Sequence, residues 1–158
     1  MAGRFRISCF SAAAVIVPNA LAATGAAVIT AITAQRWAGP AAGIVAGAVV
    51  ATTPVLIAVA RSNQPETFFV LALALTAWAA TKALDRRSLG WLVLAGVFIA
   101  AGFQTYMLES WAVWPALAAA YLCTRQPWVK RLVHLAIAGA VSLALSLAWI
   151  VVVALIPA

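Results

Sequence analysis

Charge is what this sequence has least of. Only 8% of its 158 residues are charged, and three are acidic. A soluble domain carries about 25% charged residues, so a water-facing globule is excluded. Histidine occurs once and cysteine twice. Cys9 and Cys123 lie far apart without metal-ligand spacing, so each is read as a small packing residue. His134 has no second ligand near it and is read as an interfacial surface histidine, not a zinc ligand. The apolar runs do not alternate with polar residues, which excludes the strands of an outer-membrane barrel. There is no glycine-rich phosphate loop, metal motif or nucleophile–base arrangement. No cofactor and no metal is expected.

What remains is apolar sequence. Hydrophobic residues make up 66% of the chain, and the mean hydropathy is +1.09. The stretches 7–35, 37–60, 88–108 and 132–158 contain no Asp, Glu, Lys or Arg. Each is near or above the roughly 20 residues that cross a bilayer as a helix. Inside lipid only helices satisfy every backbone group without a closed barrel. The fold class is therefore all-α, a polytopic transmembrane protein in a single domain over 1–158. About six spans are expected, at about 11–33, 41–60, 68–84, 91–103, 111–123 and 132–156. Gly39-Pro40 punctuates the first boundary, Pro54 is expected to kink the second span, and Lys82 can snorkel from the third. An Ala20-Leu-Ala22 processing site is set aside, because Pro18 and Asn19 interrupt the run and apolar sequence continues to Thr33.

The net charge of +7 does not mark a nucleic-acid binder, since the basic residues form no single patch. They fall between the apolar runs, as in proteins whose partner is the lipid bilayer. Alternating loops place Arg36, Lys82, Arg86, Arg87, Arg125, Lys130 and Arg131 on one side. Arg4, Arg6 and Arg61 fall on the other. The positive-inside rule makes the richer side cytoplasmic, giving a multi-pass plasma-membrane protein. The N-terminus then lies outside, which is awkward for Arg4 and Arg6 and reads like a start after a missing first helix.

Two polar clusters face outward on this reading. One is Arg61-Ser-Asn-Gln-Pro-Glu-Thr67; the other is the join 104–110, with Gln104, Tyr106 and Glu109. Pro65 stops the flanking runs from merging into one helix. Ionisable groups beside membrane spans cost several kcal/mol to bury and are functional candidates by default. Arg61 suits a phosphate through its planar fork. Glu66 and Glu109 can pair with Arg61, position a cation or sugar hydroxyl, or act as a base. A plain connecting loop, with Arg61 paired to Glu66 or Glu109, stays open beside the binding site.

The run 61–67, flanked by Ala51-Thr-Thr-Pro-Val55, resembles glycosyltransferase family 39 of the actinobacterial type. So do Trp91-Leu-Val-Leu-Ala-Gly-Val97, Gly102-Phe-Gln-Thr-Tyr-Met-Leu-Glu109 and Pro115-Ala-Leu-Ala118. That family includes protein O-mannosyltransferases and lipid A aminoarabinose transferases, and the resemblance covers about 17–157. It implies a partial GT-C fold, a polyprenyl-phosphate-linked sugar as donor, and transfer on the outer membrane face to a protein or lipid acceptor. By position Arg61, Asn63 and Glu66 match the family's Arg-x-Asn-x-Pro-Asp, with Glu for Asp. The segment from Gln104 to Glu109 matches Asn-x-Lys-Met-Leu-Gln, with Tyr106 for the lysine and Glu109 for the glutamine. A cation is lost there and an anion gained, the wrong direction for holding a phosphate.

The resemblance therefore implies a donor-binding set of Arg61, Asn63, Glu66, Gln104, Tyr106 and Glu109. The family's catalytic acid lies in an external loop after its first helix, and no residue here matches it. The expectation is a truncated or inactive remnant, with a partner chain supplying the missing helices. The alternative is a non-enzymatic polytopic protein, a transporter subunit or assembly factor using the cluster as an ion-pair lock. A transporter would typically show an internal repeat, and none is seen.

Overall fold

A computed structural model describes residues 12–62 and 64–155. Among them there are helices and no strand. Eight helices follow in order: α1 (Ala12–Ala38), α2 (Pro40–Thr52), α3 (Pro54–Ala60), α4 (Glu66–Arg86), α5 (Leu89–Tyr106), α6 (Leu108–Trp111), α7 (Val113–Leu122) and α8 (Trp128–Leu155). The all-helical, polytopic class expected from composition is what is found.

The boundaries follow backbone chemistry. Gly39 adopts φ 87° and ψ 174°, a conformation that costs glycine little, and Pro40 opens α2 where no N–H partner is needed. Pro65 precedes α4, and both Phe68 and Phe69 donate N–H bonds back to its carbonyl. α2 and α3 are bent by 56° at Thr53-Pro54, as Pro54 predicts. A break at membrane depth must find new partners for the freed carbonyls. Thr53 N–H turns to Val50 O at 3.3 Å, and Thr53 Oγ1 donates to the Val49 O so left over, at 2.7 Å. Pro18, expected to interrupt the first run, instead lies inside α1.

Among the described residues four helices are long and apolar enough to cross a membrane, and a fifth crossing is counted if α2 and α3 form one bent span. The stretch expected to be a further span, 111–123, is α7 and is only 10 residues long, preceded by the 4 residues of α6. At about 1.5 Å per residue the two reach about 21 Å, short of a hydrocarbon core of ~30 Å. They still run antiparallel to α8. Trp111 Nε1 meets Ser146 Oγ and Trp114 Nε1 meets Ser142 Oγ, both at 3.4 Å. Tyr121 OH lies 2.7 Å from His134 Nδ1. α5, in turn, runs parallel to α8.

These contacts give the bundle two distinct ends. At one, Arg36 Nη2 pairs with Asp85 Oδ2 at 3.1 Å, and Gln126 Nε2 donates to Arg87 O at 3.4 Å. At the other, Asn19 meets Ser62 and Thr67, and Tyr106 meets Glu66. The core between them is built of small residues: Ala79, Ala83, Ala95 and Ala138 surround Leu92, Ile99, Leu117 and Tyr121, all buried. Small side chains let helix backbones approach closely, as helix association in lipid requires.

Two single-residue expectations are corrected. His134 is not a surface histidine but is half-buried and bonded to the buried Tyr121. Cys123 is exposed rather than packed; Cys9 lies outside the described residues. Lys82, expected near the end of its span, lies in the last turns of α4. Its Nζ lies 4.0 Å from the Trp78 ring centre and 4.5 Å from that of Trp91, where the indole faces attract it.

Candidate functional site

The 61–67 turn is positioned from below by a buried polar hub. Asn19, on α1, is 4% exposed and Thr67 is fully buried. Thr67 Oγ1 donates to Asn19 Oδ1 at 2.5 Å, and Asn19 Nδ2 donates to Ser62 O at 3.1 Å. One side chain thus ties α1 to both the turn and the start of α4. Asn19 was legible only as a polar break in an apolar run; that break was the signal for the hub.

Arg61 caps α3 and is exposed. Among the described residues it makes no ion pair; the ion pair there is Arg36–Asp85. Arg61 lines one end of an open groove of about 620 Å³ bounded by α1, α2 and α3, whose walls include Ile16, Ala27, Ile44, Gly47 and Ile57. The 56° bend at Pro54 lies along the groove's wall, between α2 and α3. Among the described residues Arg61 is the only charged one lining it.

Glu66 is elsewhere. It lines a smaller cavity of about 270 Å³ with Val50, Val59 and Val70. Its Oε1 accepts a hydrogen bond from Tyr106 OH at 2.7 Å. The Tyr106 ring rests on Phe69, with ring centres 5.1 Å apart. The two polar clusters therefore do meet, but through Glu66 and Tyr106, and not through Arg61. The ion-pair lock between Arg61 and Glu66 or Glu109 is not formed.

The remaining candidates spread out. Gln104 Nε2 points to Leu145 O of α8 at 3.5 Å. Glu109 is exposed on α6. Asn63 lies outside the described residues. The turn that carries Glu109 is set by a strained residue: Met107 has φ 36° and ψ −113°. Its neighbour Ser110 is fully buried and donates to Ile99 O at 2.7 Å. A Cβ on Gly102 would sit 2.5 Å from Ser110 Oγ, so glycine is needed for this close fold-back. No group of three or more His, Cys, Asp or Glu residues that could hold a metal occurs among the described residues.

The Glu66–Tyr106 contact is testable as a pair. Tyr106→Phe keeps the ring on Phe69 and removes only the hydroxyl. If the hydroxyl acts through Glu66, unfolding of Glu66→Gln, Tyr106→Phe and the double variant will be non-additive. Additive effects would remove the contact as a link between the clusters.

The chain was compared with known proteins. The family described as dolichyl-phosphate-mannose-protein mannosyltransferase matches residues 1–151. Two proteins of Bacillus subtilis (strain 168) are related. "Putative mannosyltransferase YkcB" is 36% identical over 145 residues, covering 91% of this chain and 20% of the relative. YycA, under the same description, is 30% identical over 140 residues, covering 88% of this chain and again 20% of the relative. The chain thus spans about a fifth of the length of these relatives. No solved structure matches it.

Proposed function

The chain belongs to the dolichyl-phosphate-mannose-protein mannosyltransferase family, and from that membership we propose that it forms the donor-binding part of a polyprenyl-phosphate sugar transferase. One observation carries the reading: a long apolar groove ends at a single exposed cation, Arg61, that has no ion-pair partner among the described residues. A polyprenyl phosphate has the matching chemistry. Its apolar tail fits between α1, α2 and α3, and its phosphate meets the guanidinium. Arginine binds phosphate oxygens through two parallel N–H bonds, which are stronger than neutral hydrogen bonds.

In this proposal Asn63 and Gln104 offer amides to the phosphate or sugar. Glu66, steadied by Tyr106, and Glu109 offer carboxylates to sugar hydroxyls. The carboxylates stand apart from Arg61, which keeps the phosphate end of the site positive. No catalytic residue is assigned. The base for transfer belongs, on this reading, to sequence corresponding to the part of the relatives that the chain does not match. The positive-inside rule puts the Arg61 end on the outer face of the plasma membrane, and the protein crosses that membrane several times.

The test is binding of a polyprenyl-phosphate mannose to the full chain in detergent. Charged hydrogen bonds contribute about 1.5–3 kcal/mol, so Arg61→Ala is expected to weaken binding by roughly ten- to a hundredfold. Absence of binding, or binding indifferent to Arg61→Ala, defeats the proposal.

A further inference from the structure

The end of the bundle opposite Arg61 gathers Arg36, Lys82, Arg86, Arg87, Arg125, Lys130 and Arg131 around a single carboxylate, Asp85. Several of these cations are already committed. Arg36 holds Asp85. Lys82 sits between Trp78 and Trp91, and Arg86 lies over Trp91 at 5.6 Å. Arg131 donates to backbone oxygens, Nε to Gln126 O at 2.7 Å and Nη1 to Leu122 O. Arg87, Arg125 and Lys130 are left. All three are exposed and none makes an ion pair among the described residues.

Arg87 and Arg125 belong to two separate connections and Lys130 to the first turn of α8, and the fold brings the connections together. Arg87 ends α4 with φ 48°. The loop 123–127 folds onto it through the bond from Gln126 Nε2 to Arg87 O. Immediately beyond the loop, α8 begins with exposed apolar residues: Trp128 at 62%, Val129 at 71%, Leu132 at 52% and Val133 at 47%. Positive charge therefore adjoins an apolar strip, with an indole at the start of the helix. Indoles favour that boundary in membranes.

We propose that this corner binds an anionic phospholipid. The phosphodiester headgroup is held by Arg87, Arg125 and Lys130, and the acyl chains lie along the first turns of α8. The charge selects an anion, and the apolar strip beneath selects one that carries hydrocarbon chains. A zwitterionic lipid has the chains without the net charge, and a soluble phosphate has the charge without the chains. The site is independent of the donor reading, because it lies at the other end of the bundle and shares no residue with it.

Native mass spectrometry of the full chain in mild detergent tests this, with phosphatidylglycerol and phosphatidylcholine of identical acyl chains as probes. Phosphatidylglycerol is expected to be retained preferentially. A basic residue near a membrane surface contributes about a fivefold gain in anionic-lipid binding. Arg125→Gln and Lys130→Gln should each lower the preference by about that factor, while Arg86→Gln, which removes the same charge from a side chain held over Trp91, leaves it unchanged. Glycerol 3-phosphate at equal concentration should not displace the lipid. Equal retention of the two lipids overturns the proposal. So does an equal loss in Arg86→Gln, which would reduce the effect to net charge, and so does displacement by glycerol 3-phosphate.

Discussion

Replacing Gly96 with leucine is expected to force α5 and α8 apart. Gly96 is buried where the two helices touch. A Cβ built there would lie 2.9 Å from the carbonyl oxygen of Ala138, 3.5 Å from Ser142 Cβ and 3.6 Å from the Trp114 ring. The nearest of these is backbone, which cannot swing aside as a flexible side chain can. Overpacking of this kind costs about 1–3 kcal/mol, sometimes more, and leucine adds three carbons beyond the clashing Cβ. The pairing of Trp114 with Ser142 will be lost as the helices separate. Thermal unfolding in detergent should show a midpoint lower by roughly 10 °C. Gly139 provides the comparison within the same contact region. A Cβ there meets nothing within 4 Å, so Gly139→Leu should leave the midpoint nearly unchanged. Equal midpoints for the two variants would mean that α5 and α8 are not packed as described.

Asn19→Ala is expected to loosen the turn that carries Arg61. The substitution removes one donor and one acceptor together. Thr67 Oγ1 loses its acceptor and Ser62 O loses its donor, and Thr67 is fully buried. An unsatisfied buried polar group costs about 1–3 kcal/mol, so a total of about 3 kcal/mol is reasonable. Hydrogen exchange at the Arg61 and Ser62 amides, which bond back to Ala58 O and Val59 O, should accelerate by about a hundredfold, since local opening reports the lost free energy. Exchange in α8 should stay as it was. Unchanged exchange at the turn would show that Asn19 does not hold it. The variant also separates two roles: Asn19 does not line the Arg61 groove, so any loss of donor binding would come from the position of Arg61.

These two residues mark the limit of what sequence could reveal. Proline and glycine act on their own backbone, so Gly39-Pro40, the bend at Pro54 and the start of α4 after Pro65 were all readable locally. Composition alone settled the helical membrane class. Contacts made across many residues were not readable. Tyr106 and Glu66 are 40 positions apart, and no spacing rule pairs them. Asn19 looked like a defect in a span until its partners at 62 and 67 were known. His134 looked like surface because its partner, Tyr121, sits on a different helix. The shortness of α7 was hidden for another reason. Its sequence is as apolar as a span, but Met107 ends α5 late and Ser110 folds α6 against Ile99, leaving few residues for the return.

The clamp of Trp78, Lys82 and Trp91 fixes more than a side chain. Indoles and long cationic side chains favour the interface between water and hydrocarbon, so two indoles and an ammonium are expected to set the depth at which α4 and α5 enter the bilayer. A change in lipid thickness is then not shared evenly along these helices. With one end anchored, the mismatch is taken up at the other. That other end holds the backbone break at Met107, the Glu66–Tyr106 bond and Arg61. Bilayer thickness thus becomes a variable acting on the groove mouth, and thicker and thinner membranes will present Arg61 at different heights.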